Sequence, residues 1–137
     1  MDAARRKLLD DGYAAINSGD VELALRHLDP DVEVVTSGAF LDRGAVYRGH
    51  DGVREFLGML DDAFDEFAYE VLELSEPDED RVLALLRVTA RGKGSGLEVA
   101  KDAAHLWTLR GDTAVRLEAF ADHESALAAA GVEVRPG

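Results

Sequence analysis

The chain has 137 residues, 47% of them hydrophobic, and its 28 acidic and 15 basic residues give a formal net charge of −13 at pH 7. This length suits one domain with a substantial core, and such a charge repels nucleic acid and anionic membranes, which excludes both as partners. The sequence contains no cysteine, so disulfides, thiol nucleophiles and cysteine–zinc sites are excluded as well.

The sequence predicts neither a membrane span nor a secretory signal. No apolar run approaches the length needed to cross a bilayer. Residues 1–7 are not followed by the hydrophobic stretch that a secretory signal requires. We therefore expect a single cytoplasmic domain covering residues 1–137.

Two helices are predicted at the start of the chain. The first covers residues 3–18, and its apolar residues recur at helical spacing on one side. These residues are Leu8, Leu9, Tyr13 and Ile16. Gly19 suits the left-handed end of this helix, and Asp20 can cap a second helix that carries apolar positions as far as Leu28. Pro30 prevents that helix from continuing.

A short strand and a third helix follow. Residues 32–36 are rich in β-branched side chains and predict a strand. Residues 37–48 are interrupted by glycines and predict an irregular segment. A helix then begins at residues 49–52, and its apolar face is strongly patterned. The residues of that face are Val53, Phe56, Leu57, Leu60 and Phe64.

The second half of the chain predicts four strands and a closing helix. The strands cover residues 66–74, 81–91, 97–109 and 114–121. Asp122 caps the closing helix and Gly131 ends it. Helices followed by a long antiparallel meander indicate an α+β fold. A sheet of this length twists and curls, so the N-terminal helices can pack into its concave face and leave a pocket there.

The last hairpin determines which side chains face such a pocket. We predict that Gly111 and Asp112 form its two-residue turn, which pairs positions equidistant from the turn. Because side chains alternate along a strand, these pairs form two faces. The polar face pairs His105 with Glu118, Trp107 with Arg116, and Leu109 with Ala114. The apolar face pairs Ala104 with Ala119, Leu106 with Leu117, and Thr108 with Val115.

Several phrases of the sequence resemble, in their order and spacing, the nuclear transport factor 2-like superfamily and its small polyketide-cyclase (SnoaL-like) branch. The phrases are YAAINSGD at 13–20, DVEV at 31–34, YRGHDGVREF at 47–56, GSG at 94–96, HLW at 105–107 and RLEAFAD at 116–122. The resemblance implies a cone-shaped α+β barrel, with a curved antiparallel or mixed sheet around a ligand pocket. It also implies a homodimer formed through the sheet. Enzymes of the superfamily include steroid isomerases, polyketide cyclases, dehydratases and epoxide hydrolases.

The catalytic residues of these enzymes do not carry over to this sequence. The steroid isomerase base, tyrosine and acid align with Thr36, Gly12 and Ala104, which argues against that activity. The arginine of the epoxide hydrolases aligns with Arg81, but their aspartates align with Leu83 and Ala119. The cyclase carboxylate also aligns with Ala119, and one residue of slip would put Glu118 there instead.

Candidate catalytic residues are His105 with Glu118 or Asp102. A carboxylate beside the imidazole would raise its basicity and orient it. Asp102 lies on the apolar face, where burial would raise its pKa. The alternatives are an ordinary cross-strand pair on the outer face or at a dimer interface for His105, and a solvated strand end for Asp102. Trp107 and Arg116 could stack on a ligand or form a cation–π pair with each other.

With the apolar face turned inward, the sequence predicts a small hydrophobic molecule as partner, without cofactor or metal. The candidate ligand-binding residues are Tyr13, Thr36, Tyr47, Phe56, Ala104, Leu106, Leu117 and Ala119. Our first hypothesis is therefore a protein that binds small apolar molecules and has no inherited catalytic machinery. The second is a lyase or isomerase acting on a carbonyl compound, and the third is a non-catalytic dimerisation module.

Overall fold

The computed structural model describes residues 1–36 and 46–131, in which there are four helices and six strands. The helices are α1 (Ala3–Asn17), α2 (Val21–Leu25), α3 (Gly49–Ala63) and α4 (His123–Ala130). The strands are β1 (Leu28–Thr36), β2 (Val46–Arg48), β3 (Phe64–Asp78), β4 (Arg81–Gly92), β5 (Glu98–Arg110) and β6 (Thr113–Phe120). Most of the irregular segment predicted at 37–48 lies outside the described residues. No helix in the described ranges is both long and apolar enough to span a membrane.

The strands form one mixed sheet in the order β2-β1-β6-β5-β4-β3. All neighbouring pairs are antiparallel except β1 and β6, which run parallel. This confirms the predicted α+β fold with a curved mixed sheet, although β2 and β3 remain as free edges and the sheet is open rather than closed.

Two predicted element boundaries are wrong near the ends of helices. The second helix ends at Leu25, and Leu28 already belongs to a strand that contains Pro30. The strand begins early because the carbonyl of His27 accepts a hydrogen bond from the backbone N–H of Ala114, 2.9 Å away, which aligns the chain with β6. Phe64, assigned from the sequence to the third helix, is the first residue of β3.

The apolar core has two parts, one on each side of the sheet. The larger part lies between α1, α2, α3 and the concave face, and it includes Leu9, Tyr13, Val53 and Trp107. The smaller part lies under α4 on the opposite face. It consists of Leu83, Ala104, Leu106, Ala126 and Ala130. Both helical layers bury apolar surface against the same strands, so successive residues of β4 and β5 are buried on both sides.

Helix α1 is held in a fixed position over the sheet. Its last residue, Asn17, makes two hydrogen bonds of 2.8 Å with the backbone of Tyr69, one to the carbonyl and one from the N–H. At the other end, the Arg5 guanidinium donates to Glu76 and to the carbonyl of Glu79. These contacts fix where Tyr13, in the middle of α1, meets the sheet.

We expect opposite effects from the same substitution at two glycines of α3. A Cβ on Gly52 would lie 2.9 Å from the backbone carbonyl carbon of Tyr47, whereas a Cβ on Gly58 would meet nothing within 4 Å. Gly52→Ala should therefore lower the free energy of unfolding by about 1–3 kcal/mol. Gly58→Ala should raise it by about 0.5–1 kcal/mol, because alanine favours the helix. Urea unfolding of both variants measures the difference, and equal effects would contradict the close packing of Tyr47 on α3.

Candidate ligand cavity

The β5–β6 hairpin turns where predicted, but its register differs from the prediction. Arg110 opposes Thr113 and Leu109 opposes Ala114, as the turn at Gly111 and Asp112 requires. The next pair is Thr108 with Arg116, which leaves Val115 as an extra residue in β6. Such a β-bulge shifts every following pair by one residue.

Beyond the bulge, the predicted pairs are therefore wrong. His105 opposes Ala119 rather than Glu118, and Trp107 opposes Leu117 rather than Arg116. The predicted pairs of Ala104 with Ala119 and of Leu106 with Leu117 are replaced by Ala104 with Phe120 and Leu106 with Glu118. Beyond the bulge, the inward orientation predicted for Leu117 holds, but Ala114, predicted on the outward face, lines the cavity. The orientation predicted for β5 is inverted, because His105, Trp107 and Leu109 face the helices.

Between α1, α3 and the concave face lies a cavity of about 60 Å³. This is several times the roughly 10–15 Å³ that a single water molecule requires. No carboxylate, lysine or arginine is among the described residues that line it. The lining residues are Leu8, Leu9, Gly12, Tyr13, Ile16, Ala24, His27, Leu28, Val34, Val53, Phe56, Leu57, Tyr69, His105, Trp107, Leu109, Ala114 and Leu117.

A wider groove of about 1260 Å³ runs past the end of α1 and the first residues of β5. Its two arginines are already paired within the chain: Arg54 lies 3.0 Å from Glu22, and Arg91 lies 3.3 Å from Glu98. The groove is open and of mixed polarity, whereas the smaller cavity is apolar and encloses a buried histidine. The smaller cavity is therefore the better candidate for a site.

A chain of hydrogen bonds runs along the cavity wall. The indole Nε1 of Trp107 donates to the hydroxyl oxygen of Tyr13 at 2.9 Å. The same hydroxyl lies 2.7 Å from Nδ1 of His105. The rings of Tyr13 and His105 are nearly parallel, with centroids 5.7 Å apart, and Tyr69 meets the imidazole edge-on at 4.9 Å. Packing on two sides thus holds the imidazole in one orientation.

Burial keeps the imidazole of His105 and the phenols of Tyr13 and Tyr69 neutral. Only 5% of the surface of His105 is exposed, and this desolvation lowers the pKa of its imidazole to about 3. Desolvation also raises the pKa of the Tyr13 phenol well above its usual value, against a smaller opposing effect of the Trp107 hydrogen bond. It likewise raises the pKa of Tyr69. At neutral pH the wall therefore presents an uncharged imidazole beside uncharged phenols.

The structure brings together four of the predicted site residues around the cavity: Tyr13, Phe56, His105 and Leu117. Three others, Thr36, Tyr47 and Ala119, lie on the same side of the sheet without lining the cavity. Thr36 is buried and pairs with Ala119 across β1 and β6, and Tyr47 packs its ring on Phe56 with centroids 5.3 Å apart.

The other four predicted residues lie on the opposite face of the sheet. Ala104 and Leu106 pack under α4, so the expectation that they face the pocket is wrong. Glu118 opposes Leu106, and Asp102 is exposed opposite Arg87, so neither carboxylate accompanies His105 into the cavity.

Two arginines considered in the sequence analysis lie away from the cavity. Arg116 does not meet Trp107 but donates to Glu33 at 2.7 Å on the outer face. Arg81, aligned from the sequence with a catalytic arginine, binds Asp78 and the carbonyl of Ala130. These cations therefore stabilise the periphery of the fold rather than a site.

Sequence reasoning missed two features of the cavity wall. Tyr69 was not singled out, although the alternation of Phe67, Tyr69 and Val71 along one strand is a signal for an inward face. The link between Tyr13 and His105 joins residues 92 positions apart, and no local pattern could reveal it. Only the packing of α1 across β5 places them together.

Comparison with known proteins agrees with this geometry. The six-stranded sheet with helices in its concave face is the cone fold of nuclear transport factor 2-like proteins. The model of the SnoaL-like domain family matches residues 9–117, and the chain belongs to that family. No curated protein matches the sequence significantly.

Solved structures show the same fold at low sequence identity. TerC, co-crystallised with polyporic acid, is 25% identical with a TM-score of 0.77, and the match covers 93% of this chain and 97% of TerC. A nuclear transport factor 2-like protein of Burkholderia pseudomallei is 21% identical with a TM-score of 0.77 and the same coverage of both chains. A Catenulispora acidiphila protein with a ketosteroid isomerase-like fold, in complex with trimethylamine, is 18% identical with a TM-score of 0.75, over 94% and 97% of the two chains.

Proposed function

We propose that this protein binds one small, largely apolar organic molecule in the cavity under α1. The observation that carries this proposal is a space of about 60 Å³ whose described walls are mostly apolar and aromatic, with two histidines, and include no carboxylate, lysine or arginine. Transfer of an apolar ligand into such a space is favourable by about 25 cal/mol per Å² buried, whereas a charged ligand would lose its hydration against mostly apolar walls. The organic acid co-crystallised with TerC supports a ligand role for the same fold.

A carbonyl-directed lyase or isomerase is the second candidate function. The supporting observation is that Tyr13 and His105 share the cavity wall. Each lies one residue after the position with which a catalytic residue of the steroid isomerases aligns: the tyrosine aligns with Gly12 and the acid with Ala104. Groups of this kind can hold an enolate oxygen. Against it, no carboxylate base lines the described wall, and burial makes the His105 imidazole a weak base. Binding without turnover is therefore the better-supported function.

The chain offers a substitution that should block the cavity without disturbing the fold. Gly12 lies in the middle of α1 and lines the cavity, and a Cβ there would meet no atom within 4 Å. Leucine at this position would fill the cavity and also favour the helix. Gly58→Leu is the matched control, because it adds the same side chain to an open position on α3.

We expect acetophenone and α-methylstyrene to bind the wild type and the Gly58→Leu variant, and to lose at least tenfold in affinity for Gly12→Leu. The chain has a single tryptophan, and Trp107 lines the cavity, so its indole N–H signal in a ¹H–¹⁵N spectrum reports binding directly. No shift of this signal with either ligand would refute the proposal. The same samples in D₂O should show no exchange of the acetophenone methyl protons above buffer, and clear exchange would favour the isomerase function.

A further inference from the structure

The apolar cavity and the wider groove meet along the concave face of the sheet. Ile16 of α1 and Leu57 of α3 line both spaces, and both side chains are half-buried. The floor is also continuous, because Tyr69 lines the cavity and Phe67, on the same strand, lines the groove, with their ring centroids 5.0 Å apart. The two spaces are therefore neighbours, with Ile16 and Leu57 at the boundary between them.

The cavity alone accommodates only part of an organic molecule. Its volume is about 60 Å³, whereas an engineered apolar cavity that binds one benzene molecule measures about 150 Å³. A ligand with a ring in the cavity must therefore displace the side chains of Ile16 and Leu57, and its remaining atoms extend beyond them. The groove, with a volume of about 1260 Å³, lies on the other side of this boundary.

The polarity of the surface changes at the boundary. The cavity walls are mostly apolar, but the groove is lined by a stripe of α3 that carries Arg54, Gly58 and Asp61 at spacings of four and three residues. A molecule that extends from the cavity into the groove thus passes from an apolar to a polar environment. Its two ends must differ in the same way.

The charges of the groove disfavour a negatively charged ligand end. Both of its arginines are ion-paired, and Asp61 and Asp65 belong to no ion pair in the described part of the chain. Lys93 donates to the carbonyl of Asp61 but does not line the groove. An anion would therefore meet an excess of carboxylates. The carboxylates that line the groove are Glu22, Asp61, Asp65, Glu66 and Glu98.

We infer that the ligand is an elongated molecule with two unlike ends. Its apolar end fills the cavity, and its polar end, an alcohol or an amine rather than an acid, lies in the groove beyond Ile16 and Leu57. The inference rests on the proposed binding function and adds the shape of the ligand and the chemistry of its second end.

Gly58→Leu tests whether the ligand reaches the groove. A Cβ on Gly58 meets no atom within 4 Å, so leucine would occupy open groove space. The probes are acetophenone, which is short, and 4-phenylbutan-1-ol, which carries its hydroxyl at the end of a butyl chain. We expect the ratio of 4-phenylbutan-1-ol affinity to acetophenone affinity to fall about tenfold from wild type to Gly58→Leu.

Glu55→Leu is the matched control for Gly58→Leu. It adds leucine to an exposed position of the same helix that lines neither space, so the affinity ratio should stay that of the wild type. An unchanged ratio in Gly58→Leu, with both ligands still bound, would overturn the inference and leave the binding function intact. Failure of both ligands to bind the wild type would instead refute the proposed function itself.

Ligands that differ only in the end group test its charge. We expect 4-phenylbutanoate to bind about three- to tenfold more weakly than 4-phenylbutan-1-ol or 4-phenylbutylamine at low ionic strength, and the difference to shrink as salt is added. Because the net charge of −13 disfavours any anion, two double variants assign the effect.

Asp61→Asn with Asp65→Asn removes two carboxylates from the groove, and Glu70→Gln with Glu73→Gln removes two exposed carboxylates that line neither space. The discrimination against 4-phenylbutanoate should weaken in the first double variant and persist in the second. Equal weakening in both, or tightest binding of 4-phenylbutanoate to the wild type, would overturn the inference.

A measurement on the wild type alone remains decisive if the variants do not fold. We expect nuclear Overhauser effects between the ring protons of 4-phenylbutan-1-ol and Trp107, and between its terminal methylene group and the methyl groups of Ala90 and Val99, which line the groove. The reverse orientation, or ring contacts with Trp107 but no contact of the chain end with the groove, would overturn the inference.

Discussion

Leu106→Ala should lower the free energy of unfolding by about 3 kcal/mol and leave ligand affinity unchanged. Leu106 has no exposed surface and packs against Ala126 and Ala130 of α4, so the substitution creates a void on the side of the sheet away from the cavity. Urea unfolding measures the stability, and titration of the Trp107 indole signal measures the affinity.

Leu117→Ala is the matched control for Leu106→Ala. Leu117 is also buried, but it lines the cavity opposite Trp107. Its truncation should enlarge the cavity and change the relative affinities for small and larger ligands. If Leu106→Ala altered ligand affinity as strongly as Leu117→Ala does, the inward orientation of His105 and Trp107 would be contradicted.

The second large effect is a dependence of stability on pH. Burial lowers the pKa of His105 to about 3 in the folded protein, while an exposed histidine in the unfolded chain titrates near 6.5. Below pH 6.5 the unfolded state therefore binds a proton that the folded state does not, and stability falls as the pH falls. For this residue alone the loss should be about 2 kcal/mol between about pH 7.5 and about pH 5.

His105→Gln isolates that contribution, because glutamine does not titrate. The other three histidines and all carboxylates are present in both proteins, and the phenols of Tyr13 and Tyr69, which contact the imidazole, stay neutral over this range. We expect the unfolding free energy of the variant to fall less steeply with acidification than that of the wild type. Parallel curves would mean that the imidazole is not buried in its neutral form.

The sequence predicts the elements of this fold better than it predicts their faces. Helical spacing along α1 and α3, and the turn at Gly111 and Asp112, depend on local chemistry that a sequence displays. The bulge at Val115 has no such signal, because valine suits a regular strand as well as an irregular one. One unsignalled residue was enough to misplace the partners of His105 and Trp107.

The candidate site was predicted in part for a similar reason. Tyr13, Phe56 and Leu117 were recognised by apolar periodicity, and each lines the cavity. His105 was recognised as chemically important, but its expected partner was a carboxylate across the hairpin rather than the phenol of a distant helix. Dimerisation through the sheet stays a prediction, and the mass of the protein in solution is the measurement that tests it.

The double hydrogen bond between Asn17 and Tyr69 has a consequence for how a guest molecule enters. Together with the anchoring of Arg5 at the other end, it fastens both ends of α1 to β3 and the turn that follows it. Helix α1, which covers the imidazole of His105, therefore cannot move away from the sheet without breaking the contacts at one of those ends. Phe56 and Leu57 of α3 line the same cavity without such anchors, so we expect substitutions there to change the rate of ligand uptake more than substitutions at the ends of α1 do.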